Sequence, residues 1–195
     1  MMRIEIMQLE SLFTAARSFN AYEDRSVPEE LLREIYDQLK WGPTAANSCP
    51  ARFVFVTSVE AREKLLACVN EGNVAKVTSA PVTAIIAGDT RFFDQMPKLF
   101  PSRDFVSVFA GKEAVIADLL ARNVPLQGAY MMLAARALGL DCGPMSGFDA
   151  AALDREFFPD GQWRANFLCT LGYGRKDSLF PRNPRLDFDE ACRIV

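Results

Sequence analysis

The stretch Leu126 to Leu138, LQGAYMMLAARAL, is apolar on nearly every helical face. Such a helix cannot lie on a surface with one side wet, so it marks a buried element that other layers must cover. The helical pattern runs from about 113 to 138, where Gly139 ends it. Pro125 either kinks it or starts a second helix after Asn123. A chain of 195 residues, 50% of them hydrophobic, can wrap a central helix without disulfide or metal staples.

The covering elements are partly legible. A helix is expected near 8–18, with Leu9, Leu12, Phe13 and Ala16 on one face, and another near 28–40. Ser26 to Glu29 reads as a capping box with Pro28 in the first turn, Leu31, Leu32, Ile35 and Leu39 form a buried stripe, and Gly42-Pro43 stops the helix. Strands are expected at 52–57, at VTAIIAG (82–88) and from Ala165 to Tyr173, and further helices near 59–69 and 149–157. The segment 90–112 is irregular and holds Phe92, Phe93, Phe100, Phe105 and Phe109, which suggests a lid or pocket wall. No repeat or linker divides the chain, so one domain over 1–195 is expected. Its class is α+β or mixed α/β around four or five strands.

Composition removes several chemistries. Histidine is absent, which excludes Ser-His and Cys-His nucleophiles and every His-containing metal site. The cysteines at 49, 68, 142, 169 and 192 are too scattered for a zinc knuckle or a CxxC pair, and they fit reduced thiols of a cytoplasmic protein. No metal site is expected. The net charge of −3 argues against broad nucleic-acid binding. The opening MMRIEIMQLESLF is broken by Glu5, Gln8 and Glu10, unlike a signal peptide, and no apolar run approaches the ~20 residues that cross a membrane.

With no activated nucleophile, an enzyme built from this chain borrows its reactivity from a bound cofactor. Three features suit an anionic, planar one. Arg17, Ser18 and Asn20 near the start, with Arg182 and Arg185 in the Pro-rich tail, can hold a phosphate, and they equally suit solvated surface charge. The GPTAANS turn offers hydroxyls and amides at close spacing, and it also serves as a helix-to-strand connection. In GPMSGFD the glycines let backbone approach a ring edge, or simply form a turn before an Asp149 N-cap.

The ordered set ARSFNAY (16–22), WGPTAANSCPARFVF (41–55), NVAK (73–76), ALGLDCGPMSGFD (137–149), LGYG (171–174) and PRNPRL (181–186) resembles the FMN-dependent nitroreductase family. The similarity spans nearly the whole chain. Within the family, the WGPTAAN turn joined to PAR and the GPMSGFD turn look most like malonic semialdehyde reductases of the pyrimidine-utilisation pathway.

The resemblance implies a three-layer α+β fold with a mixed, mostly antiparallel sheet, and an intertwined homodimer holding FMN at the subunit interface. It implies ping-pong hydride transfer from NADPH or NADH to an aldehyde, nitro or quinone acceptor. The leading expectation is reduction of malonic semialdehyde to 3-hydroxypropionate, with a generalist nitroaromatic or quinone reductase, or a non-catalytic flavin-binding protein, as alternatives. Cofactor contacts carry over onto Arg17, Ser18 and Asn20; onto Pro43, Thr44, Ala45 and Asn47 from the partner; onto Asn73 and Lys76; onto Pro144, Met145, Ser146 and Gly147; and onto Arg182 and Arg185. The chain departs from many relatives at Asn20, where a cation is common, at Ala45, where a hydroxyl is, and at Ser146, where Glu is. Lys76 would stabilise negative charge on the ring and, with water, a hydroxyl or Tyr130, is a candidate proton source. Lys98 and Arg103 are candidates to meet a substrate carboxylate.

Overall fold

A computed structural model describes residues 9–195. The reading of residues 1–8, including the first position of the expected N-terminal helix, lies outside that range.

The core is a sheet of four strands, Ala51–Val56 (β1), Val82–Asp89 (β2), Asp141–Met145 (β3) and Trp163–Gly172 (β4), in the order β1-β2-β4-β3. All three pairings are antiparallel. Every residue of β2 is buried, as an interior strand covered on both faces requires. Its alternation sorts the two sides: Ile86 joins the cluster with Leu32, Ile35, Met131 and Leu171, and Ile85 the cluster with Leu65, Val77, Leu153 and Leu168. The first cluster brings in Glu29–Leu39 (α1) and the long helix Glu113–Ala137 (α4). The second brings in Val59–Leu66 (α2), Glu71–Ser79 (α3) and Ala150–Phe157 (α5). Helices therefore cover both faces of the sheet.

Side-chain caps start α2 and α5. Ser58 accepts the Ala61 N–H at 3.1 Å and Asp149 accepts that of Ala152 at 2.9 Å. In α1 Pro28 itself occupies the cap position and no side chain caps the helix, so the expected Ser26 capping box does not form. Pro125 does not start a second helix: it lies inside a single helix that runs from Glu113 to Ala137.

Two segments differ from the sequence reading. Residues 10–14 form a single π-helical turn rather than a helix to 18, and Leu9 and Phe13 are exposed, Phe13 to 57%. In α4, Met131, Ala134 and Ala135 are buried, but Leu126 and Ala137 stay open to solvent. The apolar character of these positions is not spent on packing within the chain. The 90–112 segment, expected to be an irregular lid or pocket wall, is partly helical. It forms three short helical turns, Phe92–Gln95, Met96–Leu99 and Val106–Phe109. Its aromatics pack on one another, with ring centroids 5.0 Å apart for Phe92–Phe109 and 5.1 Å for Phe100–Phe105, to make a satellite core of their own. Among the described residues, no helix is long and apolar enough to cross a membrane.

Candidate functional site

Edge strand β3 is the axis of the site. Its expected reading was a bare turn; instead Gly143 and Pro144 lie within a strand, at the sheet edge where a proline is tolerated. At its start, Cys142 bridges to Ser18 in parallel and its carbonyl accepts the Phe19 N–H at 3.1 Å. The adjoining Tyr22 is buried, and its hydroxyl lies 2.7 Å from Thr170 Oγ1, which donates to Gly143 O at 3.1 Å. Burial pushes the Tyr22 phenol far up, so it stays neutral and braces residues 18–22 on the sheet.

Beside Ser18 opens a cavity of about 360 Å³ lined by Arg17, Ser18, Arg136, Arg182 and Arg185 together with Phe180. Four guanidinium groups face it and no carboxylate lines it. The chain ends hold each other here: Arg17 donates to Phe180 O, and Arg182 Nη2 donates to Thr14 O and Ala16 O, both at 2.9 Å. Arg136, near the end of α4, donates Nη1 to Leu12 O at 2.8 Å, while its buried Nε has no partner. Each guanidinium carries five donors, so these bonds leave several unspent. Clustered like charges with spare donors make an anion receptor. Asn20 is half-buried and does not line this cavity.

At the other end of β3 the chain turns through Ser146 and Gly147. From Cys142 to Ser146 is four strand steps, roughly 13 Å at about 3.3 Å each. There Asn73, in the first turns of α3, donates Nδ2 to Gly147 O at 2.9 Å, and Asn70 N–H donates to the same oxygen at 3.0 Å. A Cβ on Gly147 would stand 2.6 Å from Asn73 Nδ2, so only glycine allows this approach. Lys76 follows one turn later, half-buried, and burial lowers its pKa from the ordinary lysine value. The Met145 side chain points into the core, leaving its backbone as the part beside the site. Pro144 is half-buried and Ser146 exposed.

The 43–49 turn stands apart from both clusters. Ala46 and Asn47 have φ of 52° and Cys49 of 41°, three non-glycine residues in the left-handed region. Each costs about 1–2 kcal/mol and needs outside support. Thr44 Oγ1 accepts the Cys49 N–H at 3.1 Å, Asn47 Nδ2 donates to Leu99 O at 3.0 Å, and the Ala45 N–H donates to Asn123 Oδ1 at 2.8 Å. Pro43 O accepts from the Tyr130 hydroxyl at 3.0 Å, which takes that proton out of play as a donor to a substrate.

The sequence model of the nitroreductase family matches residues 14–173, the span that holds every cluster just described except the tail arginines. The chain belongs to the nitroreductase family. A "Putative NADH dehydrogenase/NAD(P)H nitroreductase" of Rhodopseudomonas palustris is 57% identical over 187 residues, covering 96% of this chain and 95% of that one. A Ralstonia nicotianae protein of the same description is 54% identical over 192 residues, covering 98% of both. Two solved structures share the fold. A "putative nitroreductase" of Bacillus subtilis superposes with a TM-score of 0.85 at 24% identity, covering 97% of this chain and all of that one. One from Exiguobacterium sibiricum, in complex with FMN, superposes with a TM-score of 0.84 at 20% identity over 96% of each chain.

In this nitroreductase the motifs legible in the sequence thus fall into three groups. Arg17, Ser18, Arg182 and Arg185 line the arginine-rich cavity, Asn73 meets Gly147 across 74 residues of chain with Lys76 three residues on in the same helix, and Pro43, Thr44, Ala45 and Asn47 form a separate strained turn. Arg103 is exposed and stacks over the Phe105 ring at 4.8 Å. Lys98 lines a different cavity, about 330 Å³, with Lys40, Arg52 and Cys49. Sequence reasoning missed Arg136, Asn123 and Gln127. Their signal was there: polar side chains inside an otherwise apolar helix rarely go unpaired. Among the described residues, no cluster of three His, Cys, Asp or Glu is placed to hold a metal.

Proposed function

We propose that the chain is an FMN-dependent NAD(P)H oxidoreductase. The observation that carries this reading is the pairing of a carboxylate-free, four-arginine cavity at one end of β3 with the Asn73, Lys76 and Gly147 cluster at the other, the backbone from Cys142 to Ser146 spanning roughly 13 Å. The spacing suits a ligand with a phosphate at one end and a planar, hydrogen-bonding ring at the other. The donor set fits: spare guanidinium donors and the orphaned Arg136 Nε match a phosphate.

When bound, FMN supplies the two-electron carrier between a reduced nicotinamide and an acceptor. The chain's own residues do the rest. Arg17, Ser18, Arg182 and Arg185, joined by Arg136, hold the phosphate. The amide of Asn73, fixed by Gly147 O, and the backbone of Pro144 to Gly147 orient the ring edge. Lys76 presents a partly desolvated cation where negative charge develops, and it can also lend a proton to a reduced carbonyl. Asn20 and Met145 stand at the margins of this set.

The turn Pro43–Asn47 lines neither cluster of its own chain, as expected of a segment that serves the site of a partner. A homodimer with the cofactor at its interface is therefore part of the proposal. The apolar surface at Phe13, Trp41 (80% exposed), Leu126, Leu186 and Phe188 supports it.

Within this class the substrate proposed is malonic semialdehyde, supported by the WGPTAAN and GPMSGFD motifs. Its carboxylate needs a cation, and Lys98, beside the strained turn, is placed to offer one. The second reading is a nitroarene or quinone, favoured by the names the relatives carry. The ratio of kcat/KM for the semialdehyde and for a nitroarene separates the two. The class itself is tested by the visible spectrum of the purified protein before and after anaerobic NADPH or NADH. Flavin bands that bleach support it. A colourless protein that also fails to take up FMN overturns it, and bands that no nicotinamide bleaches leave a non-catalytic flavin binder.

A further inference from the structure

The strained 43–49 turn is held from one side by one face of α4. Asn123, Gln127 and Tyr130 stand at positions i, i+4 and i+7 of that helix and so project in the same direction. Asn123 Oδ1 accepts the Ala45 N–H at 2.8 Å, Gln127 Oε1 accepts the Ala51 N–H at 2.9 Å, and the Tyr130 hydroxyl donates to Pro43 O at 3.0 Å. Both carboxamides are only 4% exposed. Asn123 also donates Nδ2 to Leu119 O at 2.8 Å, which fixes which end of its amide faces the turn. The Tyr130 ring lies where a Cβ of residue 42 would be, so Gly42 is what lets the turn start against the helix.

We propose that Asn123, Gln127 and Tyr130 are positioning residues that hold the 43–51 segment in its left-handed form, and that this form is what the flavin requires. The proposal rests on the reading of the protein as FMN-dependent. Its physical content is that three left-handed residues relax unless their surroundings over-determine them. An apolar residue would fill the space beside the turn, but it would leave the Ala45 and Ala51 N–H groups without acceptors. Buried amides in an otherwise apolar helix are hence a geometric device: they set the position of the loop through its backbone N–H groups.

The test uses the full chain with Asn123→Ala, Gln127→Ala and the milder Tyr130→Phe, which keeps the ring against Gly42. Amide hydrogen exchange is measured without FMN, and FMN affinity and the visible circular dichroism of bound flavin are measured at saturation. The expected result is faster exchange confined to the peptide covering 42–51. It comes with FMN affinity about tenfold weaker, the size a lost buried hydrogen bond sets, and with altered flavin dichroism. Unchanged exchange overturns the proposal, and so does faster exchange with FMN affinity and dichroism intact. If the unsubstituted protein binds no FMN, the functional reading fails, whereas the exchange measurement still reports on the tether.

Discussion

Gly147→Ala should lower stability through one identifiable contact. The new Cβ would stand 2.6 Å from Asn73 Nδ2, where ordinary contact begins near 3.4 Å, so the Asn73 amide must retreat by about 0.8 Å. That breaks its 2.9 Å bond to Gly147 O. The lost bond is worth about 1 kcal/mol and the displaced rotamer costs about as much again, for a total of about 2 kcal/mol. For a chain of this size Tm should fall by roughly 4–8 °C. Gly72 supplies the control, since it lies in the first turn of the same helix and a Cβ there meets nothing within 4 Å. Gly72→Ala should raise stability by roughly 0.5–1 kcal/mol through helix propensity alone. The assay is thermal unfolding of the two single variants, of Asn73→Ala, and of the Gly147→Ala/Asn73→Ala double. With Asn73 truncated, the clash and the bond are both gone, and adding Gly147→Ala should cost less than about 0.5 kcal/mol. Simple additivity of Gly147→Ala and Asn73→Ala would show that the two residues do not meet, and the clamp between α3 and the turn after β3 would have to be abandoned.

Replacing Arg17 or Arg185 by Gln should weaken FMN binding by about 10–100-fold, the worth of one charge-assisted hydrogen bond, while riboflavin, which has no phosphate, should bind as before; equal losses for both ligands in fluorescence titrations would refute the phosphate role. Burial lowers the Lys76 pKa, so turnover should fall off at a pH below the ordinary lysine value of about 10.4, and Lys76→Arg should move that limb upward; a limb indifferent to the substitution removes Lys76 from the chemistry. Because the unfolded chain then keeps the Lys76 proton to higher pH than the folded one, stability should rise with pH between the lowered value and about 10.4, and Lys76→Met should abolish that rise in urea titrations. Asp89, 3% exposed, pairs with Arg52 at 2.6 Å and accepts from Gln162 and the Arg91 N–H; Asp89→Ala should cost about 3 kcal/mol, seen as a lower urea midpoint with unchanged m.

Local signals in the sequence resolved well. The buried run 82–88 became β2, and Asp149 capped the helix that follows it, because each depends on neighbours in sequence. Among the basic and turn motifs, Arg17 shares a cavity with Arg185, and Asn73 bonds Gly147 O. What failed to show were features set by tertiary pairing. Strand β3 contains Gly143 and Pro144, residues that read as a turn, and only its edge position beside β4 makes it a strand. In 90–112 the sequence did not show that Phe92 would pack edge to face on Phe109 and Phe100 on Phe105, pairings set by the fold of the segment. The stretch from Leu126 reads as buried because it is apolar nearly all round, a pattern that does not show which positions are covered, and Leu126 is exposed.

The mutual grip of Arg17 and Arg182 has a consequence for how the protein is made. Arg182 reaches Thr14 and Ala16 across a separation of up to 168 residues. At synthesis rates of about 5–20 residues per second, the ribosome delivers the second half of the anion cavity roughly 8–34 s after the first. Until then Arg17 has neither its partner carbonyl at Phe180 nor the two tail cations. The cavity is therefore completed only when Arg182 and Arg185 have left the ribosome, and a cofactor held there, as proposed, would load after synthesis.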